Sequence, residues 1–385
     1  MKHWLLSVLL VVCGTVSAQI TLVKDGKSSA RIIVQDKMPN SKTSAQFLQR
    51  FLTEISGVAL PIENDKTPQK GDILIGGQSP AEVTEDGFSI STQDGILKIS
   101  GKENGVVYGV VTLLEQYLGI DYWGENEYSL APSKTVNLPL INKVENPGFR
   151  YRQTQCYAIH TDSIYKWWNR LEEPNEVFAA GYWVHTFDKL LPSFIYGKEH
   201  PEYYSYFKGK RHPGKASQWC LSNPEVFEIV AQRVDSIFKA NPDKHIMSVS
   251  QNDGNYTNCT CDACKAIDDY EGALSGSIIT FLNKLAARFP DKEFSTLAYL
   301  YTMNPPKHVK PLPNVNIMLC DIDCDREVTL TENASGKEFV KAMEGWSKIT
   351  NNIFVWDYGI NFDNYLAPFP TFHILQDNIR LFKKN

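Results

Sequence analysis

The sequence predicts an α/β protein in two parts: a small α/β sandwich domain, then a TIM-type (β/α)8 barrel that stops after its seventh unit. Three observations carry that expectation. Up to about residue 145 the apolar pattern runs strand, helix, then strands again, as in a compact split α/β domain. From Phe149 onward, short apolar runs alternate with longer amphipathic helices, the pattern of parallel βαβ units. Seven such units can be read where a closed barrel needs eight. A length of 385 residues also suits more than one domain at roughly 100–200 residues each.

Taken in order, the chain opens on Lys2 and His3, an apolar run over 4–12, and Val16-Ser17-Ala18 before Gln19. That is the order of a secretory signal peptide, expected over residues 1–18. The run is too short for the ~20 residues of a membrane span, and no later stretch supplies one. The expectation is export to the periplasm, cell surface or medium. Cys13 follows Val11-Val12 rather than the small residue a lipid-attachment site needs, which argues against a lipid anchor.

In the first domain, expected over 19–145, residues 30–34 and 72–75 read as strands. Between them Phe47, Leu48, Phe51, Leu52 and Ile55 share one helical face that Gly57 ends. Two alternating runs, 88–92 and 96–100, flank Asp94-Gly95 and predict a hairpin. A second helix over 105–118 ends at Gly119. The stretch 139–147 reads as the domain boundary, because polar residues and prolines replace periodicity there.

For the second domain, expected over 146–385, strands are predicted near 151–158, 181–187, 218–221, 245–250, 294–301, 315–321 and 353–358. Ser222-Asn223-Pro224-Glu225 reads as a capping box opening a helix through Val226, Val230, Val234 and Phe238. Another helix buries Leu274, Ile278, Ile279, Leu282, Leu285 and Phe289 and stops at Pro290, and the last spans about 371–384. The chain ends at Phe382-Lys383-Lys384-Asn385 without a tail, so a fragment of a longer protein is expected. An open doubly wound sheet is the alternative, although no Gly-rich phosphate turn opens any helix.

A net charge of −5 and a pI near 5.9 exclude nucleic acid as the expected partner, since neutralising phosphates needs a basic face. Aromatic residues make up 12% of the chain. That excess suits a surface that stacks on sugar rings, and a large barrel core is the plainer explanation.

In a barrel, the chemistry sits just past the carboxyl ends of the strands. Those positions hold His160, Trp183, His185, Asn252, Asp253, Tyr299, Tyr301, Asp321, Trp356, Asp357 and Tyr358. Carboxyls for proton transfer and rings for stacking are the needs of a glycosidase cleft. Asn252 and Asp253 are the sharpest catalytic pair. Hydrolysis of an N-acetylhexosaminide can use the substrate's own acetamide as nucleophile, with one protein group orienting the amide and one acid protonating the leaving oxygen. Asp253 with Asp321 or Asp357 could instead form a two-carboxylate pair, and Asn252-Asp253-Gly254 is also ordinary turn chemistry. His160 and His185 can hydrogen-bond sugar hydroxyls or be satisfied core histidines. Tyr299 and Tyr301, two apart on a strand, are expected on one face. Tyr203, Tyr204, Tyr206 and Phe207 before Lys208 read as a lid hairpin or as plain loop packing.

Seven cysteines follow the expected signal segment, an odd number that leaves at least one thiol unpaired. Cys259, Cys261 and Cys264 read as a metal clip lacking a fourth ligand, or as one disulfide with a spare thiol; either would pin the loop after the fourth strand. No catalytic metal and no cofactor are expected.

The stretches His200-Pro201-Glu202-Tyr203-Tyr204 with Gly209-Lys210-Arg211, 219–224, 248–254 with the three cysteines, Leu297-Ala298-Tyr299 and 355–358 carry a resemblance. From about Arg150 to its end the chain resembles the family called domain of unknown function 4838, classed as glycoside hydrolase family 163. The preceding domain is similar to the small α/β domain ahead of the barrels of hexosaminidases and α-glucuronidases. The resemblance implies an endo-β-N-acetylglucosaminidase of a glycan-foraging, Bacteroides-type gut bacterium, cutting between the two core N-acetylglucosamines of N-glycans. By position it carries the catalytic role onto Asn252 and Asp253. The competing expectations are a non-catalytic glycan-binding module, a metal-dependent enzyme using the thiols, and an exo-acting hexosaminidase or glucuronidase.

Overall fold

The structure, a computed structural model, describes residues 19–35 and 39–385; the expected signal segment lies outside the described residues. The chain divides into two units at Leu171/Glu172.

The first unit contains β1 (Gln19–Val23), β2 (Ile32–Val34), α1 (Pro39–Ser56), β3 (Ile62–Asn64), β4 (Ile73–Ile75), β5 (Phe88–Gln93), β6 (Ile96–Gly101) and α2 (Gly105–Leu118). It continues with β7 (Asp121–Gly124), β8 (Glu127–Ser129), β9 (Val136–Pro139), β10 (Asn142–Glu145), α3 (Ala158–Thr161) and α4 (Ser163–Trp168). Its main sheet is mixed, in the order β10-β5-β6-β4-β2-β3. Asp94 (φ 53°) and Gly95 (φ 76°) make the predicted two-residue hairpin, with Gln93 opposite Ile96. The apolar faces of α1 and α2 cover the sheet: Phe51, Leu52, Val107, Val110, Val111 and Leu114 are fully buried, each contributing about 1.5–3 kcal/mol of transfer free energy. The helix α2 lies so close to the sheet that a Cβ on Gly105 would fall 1.9 Å from the carbonyl oxygen of Gly87.

The stretch expected to form the boundary, 139–147, carries strand pairing. β10 is hydrogen-bonded to β5, and β9 to β1, so this stretch belongs to the first unit. The unit extends further because α4 docks on it. Asp162 caps α4 by accepting from the backbone N–H groups of Ile164 and Tyr165, both at 2.9 Å. It also accepts from the Tyr122 hydroxyl at 2.6 Å. Trp168 is buried in the first unit's core.

The second unit begins with the one-turn helices α5 (Pro174–Val177), α6 (Phe187–Leu190) and α7 (Ser193–Tyr196) and the hairpin β11 (Tyr206–Phe207) and β12 (Lys210–Arg211). There follow α8 (Pro224–Ala240), β13 (Ile246–Ser248), α9 (Asp262–Glu271), α10 (Gly276–Arg288), β14 (Glu293–Ala298), β15 (Val315–Cys320), α11 (Ala334–Ser347), β16 (Ile353–Trp356) and α12 (Phe372–Lys384). The strands β13-β14-β15-β16 form a parallel sheet in sequence order. Alternation assigns its two faces. Phe294, Ala298, Val315, Ile317 and Leu319 face the helix-covered core with Val230, Leu282 and Phe339. Leu297, Tyr299, Met318 and Cys320 form the opposite cluster, with Phe354, Trp356 and Trp183 packed on it.

Three predicted barrel strands are absent, so the described residues show an α/β unit with a four-stranded sheet and not seven barrel units. Residues 151–156 make no sheet pairing. Residues 181–187 run beside β13 through Ser248 N–H to Tyr182 O (2.7 Å) and Thr186 N–H to Ser250 O (3.1 Å). Positive φ angles at Ala180, Gly181 and His185 break the extended path there. Residues 218–221 pair antiparallel with 203–205 through a single bridge, Tyr204 to Trp219. Tyr203 and Tyr204 are core residues, and only Tyr206 and Phe207 enter the predicted hairpin. The cap of α8 is Asn223, whose side chain accepts from Glu225 N–H at 2.8 Å, and not Ser222.

Candidate functional site

The site grows from the loop that leaves β13. Ser250, Gln251 and Asn252 are all buried, and each is fixed by hydrogen bonds that leave Asp253 as the first exposed side chain. The Gln251 amide donates to Leu297 O (3.2 Å) and Thr302 Oγ1 (2.8 Å), tying the tip of β13 to that of β14. The Asn252 side chain accepts from Asp188 N–H (3.0 Å) and donates to Ser217 O (2.7 Å). Its backbone N–H and C=O pair with the Gln218 amide, both at 2.9 Å. Both ends of the Asn252 amide are thus committed to the protein's own backbone. Asn252, expected from sequence as one of the catalytic pair, thus ties the loop to its neighbours.

Asp253 meets its partner across the sheet, where the Tyr299 hydroxyl donates to Oδ1 at 3.2 Å. Burial first, and the Asp253 charge second, raise the Tyr299 phenol above its ordinary value. His185 lies alongside, its ring centroid 5.9 Å from that of Tyr299. Its Nδ1 is 2.8 Å from the carbonyl oxygen of Gln251. A carbonyl only accepts, so Nδ1 is the donor in this contact.

A second acidic group lies at the tips of β15 and β16. Asp321 is 1% exposed and ion-paired to the buried Arg326, which also donates to Asp321 O at 2.7 Å. Arg326 Nε is 3.6 Å from Asp357 Oδ1. Two carboxyls thus share one guanidinium, and Asp321 Oδ2 is buried without a hydrogen-bond partner. Burial first, then the charge of Asp357, push the Asp321 carboxyl above the usual range, against the pull of Arg326. A carboxyl of that kind keeps its proton where an ordinary one has lost it.

Aromatic rings complete the set. Trp183 stacks on Trp356 at 4.8 Å and 21°, and Trp356 on Tyr358 at 5.6 Å and 9°. The Tyr358 phenol is raised by burial and then by Cys320, Tyr299, Asp321 and Asp253, so the fields of both acidic groups meet on it. Of the residues expected from sequence, the structure therefore brings together Asp253, His185, Tyr299, Asp321, Asp357, Trp183, Trp356 and Tyr358.

His160 belongs to the first unit, on α3, its ring 6.4 Å from Tyr157. Tyr301 does not share a face with Tyr299. The strand ends at Ala298, Leu300 takes φ 51°, and a 3-10 turn over Leu300–Thr302 turns Tyr301 toward Tyr256, Trp219 and Cys264. Arg326 is the residue sequence reasoning missed. Its only signal was a base five positions beyond a strand-tip acid. Cys220 was missed too: with Cys259, Cys261 and Cys264 it forms a group of four thiols whose sulfurs all lie within 4.8 Å of one another.

A family model described as Domain of unknown function (DUF4838) matches residues 122–385, more than half of the chain. The chain belongs to the DUF4838 family. In this DUF4838 protein the match takes in the whole second unit and the last part of the first. No curated protein matches the sequence. Among solved structures, a β-N-acetylhexosaminidase from Bacteroides fragilis is 10% identical with a TM-score of 0.47, over 91% of this chain and 76% of that one. A GH20 β-N-acetylhexosaminidase from Streptomyces coelicolor A3(2) is 10% identical with a TM-score of 0.46, over 89% and 74%. A GH20 exo-β-N-acetylglucosaminidase from Vibrio harveyi is 12% identical with a TM-score of 0.42, over 89% and 59%. Likeness of this degree assigns neither activity nor substrate to the DUF4838 protein.

Proposed function

We propose that this DUF4838 protein is an exported glycoside hydrolase. In this reading it is an endo-β-N-acetylglucosaminidase that cleaves N-glycans by substrate-assisted, retaining hydrolysis, consistent with the class 163 resemblance of its motifs. The observation that carries the reading is the pairing of exposed Asp253 with Tyr299, in the same field as the raised Asp321 carboxyl beside Asp357 and an aromatic stack. The acetamide oxygen of the substrate attacks C1 while the bond to the leaving oxygen breaks, forming an oxazolinium ring. Asp253, steadied by Tyr299, accepts from the acetamide N–H and balances the positive charge. The Asp321–Asp357 pair supplies the proton that the leaving oxygen takes up. Water then adds to C1, returning its proton to the same pair as the C1–O bond of the oxazolinium ring breaks, which restores the acetamide with the original configuration. Asp253 thus takes the amide-orienting role, and its partner comes from across the sheet instead of from Asn252. Trp183, Trp356 and Tyr358 supply flat faces for sugar rings.

The test is incubation of the chain and its Asp253→Ala variant with a glycoprotein bearing complex N-glycans, followed by mass spectrometry of products. The expected result is an intact oligosaccharide from the parent chain, one N-acetylglucosamine left on the protein, and no product from the variant. Turnover by Asp253→Ala, or release of monosaccharides alone, would overturn the assignment. Binding of glycan without any product would leave a glycan-binding module instead.

A further inference from the structure

We propose that Cys220, Cys259, Cys261 and Cys264 bind a structural zinc ion as four thiolates. The spacing of Cys259, Cys261 and Cys264 supplies three ligands from one short loop and the first turn of α9, where Cys261 is the N-cap residue. The fourth comes from 39 residues earlier in the chain, counting from Cys220 to Cys259, on the segment that pairs with Tyr203 and Tyr204. Tetrahedral zinc with bonds of about 2.3 Å requires sulfurs about 3.8 Å apart. Cys220 Sγ lies 3.6 Å from Cys261 Sγ and 4.0 Å from Cys264 Sγ, and all four sulfurs fall within 4.8 Å. A disulfide would need about 2.05 Å.

The surroundings suit an ion whose four thiolates leave a net charge of −2. Arg211 Nη1 is 3.6 Å from Cys259 Sγ, and the Tyr206 N–H donates to the same sulfur at 3.3 Å. The Ser222 hydroxyl is 3.1 Å from Cys264 Sγ. Three of the four cysteines are buried, and four thiolates close a tetrahedron with no open position, so the ion would be structural and not catalytic. The remaining described cysteines, Cys156, Cys320 and Cys324, lie outside the group.

The consequence for the molecule is a clamp. The same loop carries Asp253 and reaches Cys259 six residues later, and Thr260 N–H donates to Tyr206 O at 2.7 Å. Zinc would hold together the hairpin β11–β12, the Cys220 segment, the start of α9 and the loop leaving β13. Because metal binding of this kind is coupled to folding, removal should loosen all four at once. The inference stands independently of the proposed hydrolysis.

The test is metal analysis of the natively purified chain by plasma mass spectrometry, with alkylation by iodoacetamide in denaturant without reductant. The expected result is about one zinc per chain, with all four cysteines alkylated once the denatured protein is chelated. Cys220→Ser should lose most of the zinc and melt at a lower temperature. Should that variant fail to fold, a mercurial titration of the parent chain provides the second measurement: zinc is expected in solution in step with thiol modification. Absence of zinc with the four cysteines protected from alkylation would show disulfides and overturn the proposal. Absence of zinc with four free thiols would overturn it as well.

Discussion

Replacement of Asn252 by alanine separates an aiming role from a catalytic one, and its size can be worked from the hydrogen bonds. The side chain is 5% exposed and satisfies Asp188 N–H at 3.0 Å and Ser217 O at 2.7 Å. Truncation strands both groups. An unsatisfied buried donor or acceptor costs about 1–3 kcal/mol; Asp188 is half-buried and belongs at the low end, Ser217 is buried and belongs higher. The sum is about 3 kcal/mol. For a unit the size of residues 172–385, each kcal/mol moves the melting temperature by roughly 2–4 °C, so the expected drop is about 6–12 °C. Asp253→Ala serves as the control. Its side chain is exposed and accepts one hydrogen bond, from Tyr299, so its stability change should stay within about 1 kcal/mol. Differential scanning fluorimetry of both variants, alongside glycan release, is the assay. A stable Asn252→Ala that has lost turnover would refute the reasoning, since it would show the amide acting on substrate and not on the loop.

Tyr299→Phe should keep the fold, because only a hydroxyl is removed, and should slow turnover by roughly 10–100-fold, the kinetic equivalent of the 1.5–3 kcal/mol of a hydrogen bond to a charged group. Unchanged kcat in a glycan-release assay would remove Tyr299 from the site. Asp268 provides a pH test away from the site: burial raises its carboxyl to about 6, although Ser277 N–H donates to it at 2.8 Å. The folded state therefore holds this proton to higher pH than the unfolded state does. Its stabilising contribution is complete below about pH 4 and declines as pH rises toward 6, by about 3 kcal/mol. In urea titrations Asp268→Asn should gain on the parent chain over that window, and parallel profiles would contradict the assignment.

Sequence alone determined the elements whose causes are local. Asp94-Gly95 specifies a two-residue hairpin turn whatever surrounds it, and Pro224 with an apolar residue every fourth position specifies α8. The placing of polar residues beyond the apolar runs was also legible, since Asp253, Tyr299, Asp321, Trp356 and Asp357 do lie past or at the ends of β13–β16. Which apolar runs become strands was not legible. Periodicity reports a buried face but not a pairing partner, and residues 151–156, 181–187 and 218–221 either lack a parallel neighbour or are bent by positive φ. Tertiary structure alone decided four further things: that Asn252 is consumed by backbone, that Arg326 is shared between Asp321 and Asp357, that Tyr301 turns away from Tyr299, and that Cys220 joins three distant thiols. Each depends on what lies across space from a side chain. Burial, charge and hydrogen bonding are set by that neighbour and not by position along the chain.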